Sequence, residues 1–433
     1  MMASAPDKSI PKQAEQWSDA KGAYRLLNNP AVQPQAIQGP HRALVRARCG
    51  EQKLVLSIQD TTQLDFTNRA VTDLGEIGNG WQQGLLQHSA LAATEDGRLL
   101  GVLDQQWHTR ELKPESEKRR QRQGRRTEAD VWAEAARAIG PMEGVKLLHV
   151  GDRHSDVFSF MHEALALKHG FVLRAKHDRY IDDRTDHLWS KLHATPAVDV
   201  IDVFIETQQG ITGRDKRRHE TVRLEIAYAP VRVPPPTNDP RFADAPPLTL
   251  WAVHVREADP PEGFEPIDWM LLSTEPVTDA ASARRVIGIY ECRWVIEEWH
   301  RALKEGCRLE ASQLKSADAI RRLAAVTSVV AVRLIQLRDL ADDQTPAAED
   351  PRVLQREADP LWIEVVAALA DIDWQTLTPR RFFRTIARRG GWLARKHDGR
   401  PGWKTIWRGW SDVQIMVEGI RLHQSPSRRS SCG

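Results

Sequence analysis

Short apolar runs with β character dominate the first two thirds of the chain, and longer helical periods take over afterwards. Residues 17–45 carry a helical pattern around Trp17, Tyr24, Leu26 and Leu27, with a stop near Asn28-Asn29-Pro30. Residues 53–60 form an apolar run that ends on the carboxylate of Asp60, and residues 85–94 and 99–107 read as two strands around the Asp96-Gly97 turn. Thr127 is the expected cap of a helix, with Asp130 three residues on and Val131, Trp132 and Ala135 as its apolar stripe. Residues 145–150 give a strand that meets Gly151-Asp152, residues 154–168 an amphipathic helix, and residues 170–175 another strand. The predicted order is three strands, helix, strand, helix, strand.

Residues 178–265 break this pattern. Their β-rich pieces at 200–207, 221–233 and 248–255 surround the run Pro234-Pro235-Pro236, so the segment reads as an inserted antiparallel β subdomain. A strand at 269–273, a long helical region at 279–340 and a mostly helical tail complete the chain.

With 433 residues, 41% hydrophobic and 28% charged, the chain can bury a sizeable core and is too apolar for a disordered protein. No apolar stretch approaches the roughly 18 residues of a membrane span. The start, MMASAPDKSIPK, lacks the apolar core of a secretory signal, and four scattered cysteines include no CxxC pair. These features predict a cytoplasmic protein with no membrane partner.

The net charge is only +2, yet its distribution is uneven. Residues 118–126 hold six basic residues, and a second cluster comprises Arg214, Lys216, Arg217 and Arg218. Residues 380–410 hold ten Lys or Arg against one acid, Asp398, whereas residues 339–373 hold ten acids and two basic residues. Basic segments interleaved with Trp392, Trp403, Trp407 and Trp410 suit a polyanion with stackable bases. The alternative is that the charges are solvated and the tryptophans pack a small helical core.

The most informative segment is residues 290–304. At 100° per residue, Tyr290, Arg293, Glu297, His300, Arg301 and Lys304 fall on one arc of about 100°. Val295, Ile296, Trp299, Ala302 and Leu303 take the opposite side. This describes either a phosphate-facing surface with an embedded metal ligand or a solvated face with the i,i+4 pair Arg293–Glu297. Asp60 and Asp152, each at the end of an apolar strand, shift the balance. Carboxylates converging from different elements are what two Mg²⁺ ions about 3.5–4 Å apart require. Asp60, Asp152 and Glu297 can form that shell; Asp65, Asp156 and Glu298 are neighbours that could be mistaken for its members.

These residues resemble the DDE transposases of the insertion-sequence-4 group. Tyr290-x2-Arg293-x3-Glu297-x6-Lys304 matches that group's Y-R-E-K motif, and Asp60-Thr-Thr and Asp152-Arg-x-x-Asp156 match its two other acid motifs. The resemblance implies an α/β fold: a ribonuclease H-like catalytic core, a mixed sheet with flanking helices, interrupted by an antiparallel β insertion and followed by a helical C-terminal region. The implied division is 1–45 (helical remnant of an N-terminal DNA-binding domain), 46–177 and 266–345 (the core), 178–265 (the insertion) and 346–433 (dimerisation).

By position, the resemblance makes Asp60, Asp152 and Glu297 the catalytic metal ligands for two Mg²⁺ ions, with Mn²⁺ a substitute. It makes Tyr290, Arg293, Lys304 and Arg301 contacts to transposon-end phosphates, and Trp269 a support for a flipped base. It also assigns Arg174 and Lys176 to the other DNA strand. The implied partners are double-stranded DNA, as transposon ends and target, and a second copy in a synaptic homodimer. The short N-terminus raises an alternative, an inhibitor acting by dimerisation, and a structure-selective nuclease is a third reading. A glycosidase fits less well, because a Lys- and Arg-lined acid site favours phosphate.

Overall fold

The β-rich stretches assemble into one ten-stranded mixed sheet. The computed structural model describes residues 7–14, 16–78, 80–110, 126–209, 217–395 and 398–424. Two units emerge, Pro40–Glu297 and Met1–Gly39 together with Glu298–Gly433.

The sheet belongs to the first unit. Its strands are β1 (Leu54–Asp65), β2 (Gly75–Ile77), β3 (Gln82–Ala93), β4 (Leu99–His108), β5 (Lys146–Gly151), β6 (Gly170–Arg174), β7 (Asp199–Gln209), β8 (Arg217–Val233), β9 (Leu248–Glu257) and β10 (Asp268–Ser273). The spatial order is β2-β3-β1-β5-β6-β10-β9-β8-β7, with β4 also paired to β3. The β1–β3 and β3–β4 pairs are antiparallel, β1–β5 and β5–β6 are parallel, and all pairs from β6 to β7 are antiparallel.

The near-continuous burial of β3 and of the β5 run requires cover on both faces, and the three helices that follow lie on one of them, the face of Val55, Leu147 and Phe171. The helix α1 (Pro34–Gly50) brings Val45 and Cys49 against Val55, Ala90, Leu103 and Leu147. The helices α2 (Asp130–Ile139) and α3 (Phe158–Ala166) bring Trp132 and Phe160 into a cluster with Phe171, Leu173, Leu250, Met270 and Leu272. Thr127 is not the cap of α2, whose cap position is Ala129; Thr127 instead donates from its backbone N and its Oγ1 to Asp130 Oδ2 at 2.7 and 2.8 Å.

The structure modifies the expected strand end, the expected insertion and the expected long helix. The strand from residue 53 does not stop at Asp60; β1 continues to Asp65, because β3 pairs with it through that residue. The β-rich segment after residue 178 forms no separate main sheet. Its strands β7–β9 extend the principal sheet, since β10 bonds β9 on one edge and β6 on the other. The long helix expected from 279 is broken: α4 (Ala280–Glu291) is followed by α5 (Trp294–Arg301) and a π-helical turn, Ala302–Gly306. Between them Arg293 N bonds Tyr290 O at 2.9 Å and Ile296 N bonds Arg293 O at 3.2 Å, the i→i+3 spacing of a tighter turn. A uniform 100° wheel therefore does not run through residues 290–304.

The second unit is helical. Its core joins Ala341, Leu354, Ile363, Val366, Phe382, Ile386, Ile406, Val413 and Val417, drawn from α6 (Ala317–Asp342), α7 (Pro379–Arg389), α8 (Trp403–Gln424) and the helices between α6 and α7. Trp410 lies 4.4 Å from Trp362 between ring centroids and stacks on Phe383, while Trp403 is buried and Trp392 packs against the core. Those tryptophans serve the core packing that composition left open. No described helix is long and apolar enough to cross a membrane.

α7 and α8 meet at two glycines. A Cβ on Gly409 would lie 1.8 Å from the Ile386 carbonyl oxygen, and one on Gly390 would lie 1.8 Å from the Thr405 carbonyl oxygen. Backbone cannot swing aside as a side-chain tip does, so the helices must separate. Gly409→Ala is expected to lower the stability of the helical unit by about 3 kcal/mol, read as a lower thermal midpoint. An unchanged midpoint would show that the crossing has slack.

Candidate active site

β1 and β5 run parallel with Ile58 opposite Val150. Side chains alternate between faces along a strand. Asp60 and Asp152, each two residues further on, therefore emerge on the same face of neighbouring strands. Asp152 lies just past the end of β5, whereas Asp60 lies within β1, two residues beyond the end of the parallel ladder at Ile58 and Val150.

Asp152 remains extended and caps the 3₁₀ turn Arg153–Ser155, accepting from His154 N at 2.9 Å. Its other oxygen is 2.9 Å from His154 Nδ1. This turn postpones the predicted helix, which begins only at Phe158. Asp60 Oδ1 accepts from Thr61 N at 2.7 Å. Glu297, on α5, binds Arg293: Nη2 donates to Oε1 at 2.5 Å, while Arg293 Nη1 stands 3.9 Å from Asp60 Oδ2. One guanidinium thus links two of the three predicted carboxylates.

The charge balance is visible in Asp60. Burial, then the Asp152 carboxylate and more weakly Glu297, push its pKa up to about 7, against the opposing Thr61 N–H and Arg293. Burial works against the charge on Arg293, but Glu297, Tyr290 and Asp60 more than offset it and leave its pKa raised.

Tyr290 is buried, and its ring meets Trp269 edge-on at 5.4 Å. Burial raises the pKa of its phenol, against the nearby guanidinium groups of Arg293 and Arg174. Arg174 also donates to the Asp268 carbonyl at 2.8 Å. Trp269 is half-buried on β10 and Lys176 is exposed. A cleft of about 390 Å³ opens beside Asp60, with Lys176, Arg110, Arg153 and His154 in its lining. Arg301 ends α5 and is exposed; Lys304 lies in the π turn, 3.8 Å from Glu310.

The neighbouring acids have other roles. Asp156 is fully enclosed, where it accepts from Lys176 N at 2.7 Å and His177 N at 3.1 Å and pairs with Arg179. Asp65 accepts from Thr67 and Gln82. Glu298 pairs with the buried Arg338. Of the basic clusters, residues 118–125, Arg214 and Lys216 lie outside the described residues.

Sequence reasoning missed a buried polar chain behind the site. Thr61 Oγ1 is 2.8 Å from His88 Nδ1, and His88 Nε2 is 3.0 Å from Gln59 Oε1. Gln59 Nε2 is then 2.9 Å from His149 Nδ1, and His149 Nε2 is 3.1 Å from His169 Nδ1. The amide settles the direction of every bond. Gln59 Oε1 can only accept, so His88 carries its proton on Nε2 and accepts from the Thr61 hydroxyl. Gln59 Nε2 can only donate, so His149 accepts on Nδ1 and donates from Nε2. A further proton on His149 would set its Nδ1–H against the Gln59 amide N–H. Burial holds both histidines neutral, with pKa values lowered to about 3. The sequence signal is slight: Ser57, Gln59 and Thr61 are polar at every second position of β1, where the preceding Val55 is apolar.

His193, His254 and Asp268 also converge, with one ligand atom from each within 4.8 Å of the others. His254 Nε2 and Asp268 Oδ1 are 3.0 Å apart, a pair that ties β9 to β10.

Residues 372–430 match the family described as the Tn5 transposase dimerisation domain. Residues 1–32 match the family described as transposase DNA-binding. Together the two matches support a Tn5-like transposase family, with DNA binding at one end of the chain and dimer formation at the other.

Proposed function

We propose that the chain is a divalent-metal-dependent, cut-and-paste DNA transposase whose catalytic carboxylates are Asp60, Asp152 and Glu297. The observation that carries this reading is the same-face emergence of Asp60 and Asp152 from adjacent parallel strands, linked through Arg293 to Glu297. The strand order β4-β3-β1-β5-β6, an antiparallel trio followed by two strands parallel to β1, is what a ribonuclease H-like core requires. On this reading β7–β9 are the insertion, added to the far side of that core.

The donor set fits Mg²⁺ or Mn²⁺. Oxygen ligands suit hard cations, and Asp60 is already under pressure to acquire positive charge from a proton. When bound, such ions supply activation of the attacking oxygen and stabilisation of the leaving oxygen of a phosphodiester. Asp60, Asp152 and Glu297 would hold them.

The other side chains bind and orient DNA. Arg293 offers a planar fork beside the carboxylates, suited to a non-bridging phosphate oxygen. Tyr290 offers a hydroxyl that its raised pKa keeps protonated as a donor. Arg174, Lys176, Arg301 and Lys304 add charge along the backbone, as the resemblance to the insertion-sequence-4 group implies. Trp269, half-buried against Tyr290, offers a face to an unpaired base, where stacking is worth roughly 1–3 kcal/mol.

The resulting sequence is hydrolysis at the transposon end, attack of the freed 3′-hydroxyl on the opposite strand to form a hairpin, hairpin opening, and joining to target DNA. A homodimer pairs the two ends. The test is to incubate the protein with duplex DNA carrying the element's own ends, with Mg²⁺ or with EDTA. Metal-dependent nicks, hairpins and joined products support the reading. Cutting of branched DNA with no joining would identify a structure-selective nuclease instead, and no cleavage alongside dimerisation would identify an inhibitor.

A further inference from the structure

We infer that the arginine-lined groove along α7 is a second binding site for the sugar-phosphate backbone of duplex DNA, built from residues outside the carboxylate centre. This rests on the transposase reading and extends it to a segment whose family match describes only dimerisation.

α7 begins at Pro379 behind its cap Thr378, whose Oγ1 accepts from Arg381 N at 3.3 Å. One side of the helix sends Phe382, Ile386 and Ala387 into the core. On the other side a groove of about 620 Å³ is lined by Arg380, Arg381, Arg384, Arg388 and Arg389, with Glu349 the one carboxylate in the lining.

Local partners answer only part of this charge. Arg380 Nη1 donates to Glu349 Oε1 at 2.9 Å, yet its Nε is buried with no hydrogen-bond partner. Arg384 Nη2 stands 3.8 Å from Asp342, and Arg389 Nε 3.3 Å from Asp412. Arg381 and Arg388 are exposed and make no ion pair among the described residues. Converging guanidinium groups repel one another, and an anion entering the groove relieves that repulsion.

The spacing favours an extended polyanion over a single small anion. Arg380, Arg384 and Arg388 recur every four residues, a rise of about 6 Å each time, so the row spans about 12 Å. At about 3.4 Å of helix axis per nucleotide, three to four phosphates of one DNA strand lie within that length. Arginine also binds phosphate through two parallel N–H donors. The match of residues 1–32 to a DNA-binding family makes duplex DNA the favoured polyanion.

The test uses the full chain and a fluorescent duplex of arbitrary sequence, in EDTA, with anisotropy recorded from 50 to 200 mM salt. Loss of two phosphate contacts in the double variant Arg381→Gln/Arg388→Gln should make the slope of log K against log salt shallower by about 1.8. The affinity lost between the two salt concentrations then shrinks by about tenfold relative to wild type. The charge-preserving Arg381→Lys/Arg388→Lys variant should keep the wild-type slope, and sedimentation should show self-association unchanged in both.

A wild-type slope in the Gln variant overturns the inference while leaving the transposase reading intact. Loss of self-association at a constant slope also overturns it, assigning the groove to an acidic surface of a second copy. If the wild type itself shows no salt-dependent DNA binding, the transposase reading falls with it.

Discussion

Asp60→Asn, Asp152→Asn and Glu297→Gln are each expected to reduce metal-dependent DNA cleavage by about 1,000-fold or more, the equivalent of about 4 kcal/mol in the barrier. The three proteins should nonetheless fold. Asp60 carries a raised pKa because burial and Asp152 disfavour its charge, so a neutral amide there relieves repulsion. Asn at position 152 can still accept from His154 N, as a capping residue does. Gln at position 297 keeps an oxygen for Arg293. Asp156→Asn should behave differently, because that enclosed carboxylate serves two backbone N–H groups and Arg179. Its loss should lower thermal stability first and activity only as a consequence. Gel assays beside thermal melts separate the two patterns. Cleavage surviving in any of the first three variants would remove that residue from the catalytic set.

The second large effect is on stability in acid. His88 and His149 titrate near 6.5 when unfolded and near 3 when folded. Their contribution is complete above pH 6.5 and is lost as pH falls toward 3, because the unfolded chain then binds protons that the folded chain refuses. Each histidine contributes a slope of about 1.4 kcal/mol per pH unit through that window. Asp60 acts in the opposite direction. Its pKa is raised from 3.8 to about 7, so lowering the pH between those values favours the folded state.

Urea unfolding measured from pH 7 to pH 4 should show both signs. His88→Gln should flatten the acid limb by about 1.4 kcal/mol per pH unit, and Asp60→Asn should steepen it by a similar amount. The same limb in all three proteins would mean that neither the polar chain nor the carboxylate cluster is coupled to folding.

The sequence was most readable where an element depends on its own residues. Strands β3, β4 and β5 were legible because a turn signal bounds each apolar run, Asp96-Gly97 between β3 and β4 and Gly151-Asp152 after β5, whereas β1 runs on past Asp60. Long-range pairing was less legible. Nothing in residues 248–257 says that β9 will seek β10 and so extend the main sheet. The break at Cys292–Arg293 contains neither glycine nor proline, and the apolar period passes through it without interruption.

The same division holds in the site. Arg293 and Glu297 could be paired from their spacing, and the parallel register then set Asp60 beside Asp152. His88, His149 and His169 are far apart in the chain, and only the stacking of β3, β1 and β5 brings His88 and His149 to the same amide, Gln59. In the C-terminal helices, composition left tryptophans as either base platforms or core. Packing places Trp403 and Trp410 in the core and leaves the arginines of α7 to face the groove.

The most direct measurement is Mn²⁺ binding by calorimetry, on the wild type and on Asp60→Asn/Asp152→Asn, at pH 8 and at pH 6. The account predicts binding by the wild type that the double variant loses. It also predicts wild-type affinity about tenfold lower at pH 6 than at pH 8, because below about pH 7 a proton on Asp60 competes with the metal. Equal Mn²⁺ affinity in the two proteins, or no dependence on pH, would contradict the assignment of these carboxylates as the metal centre.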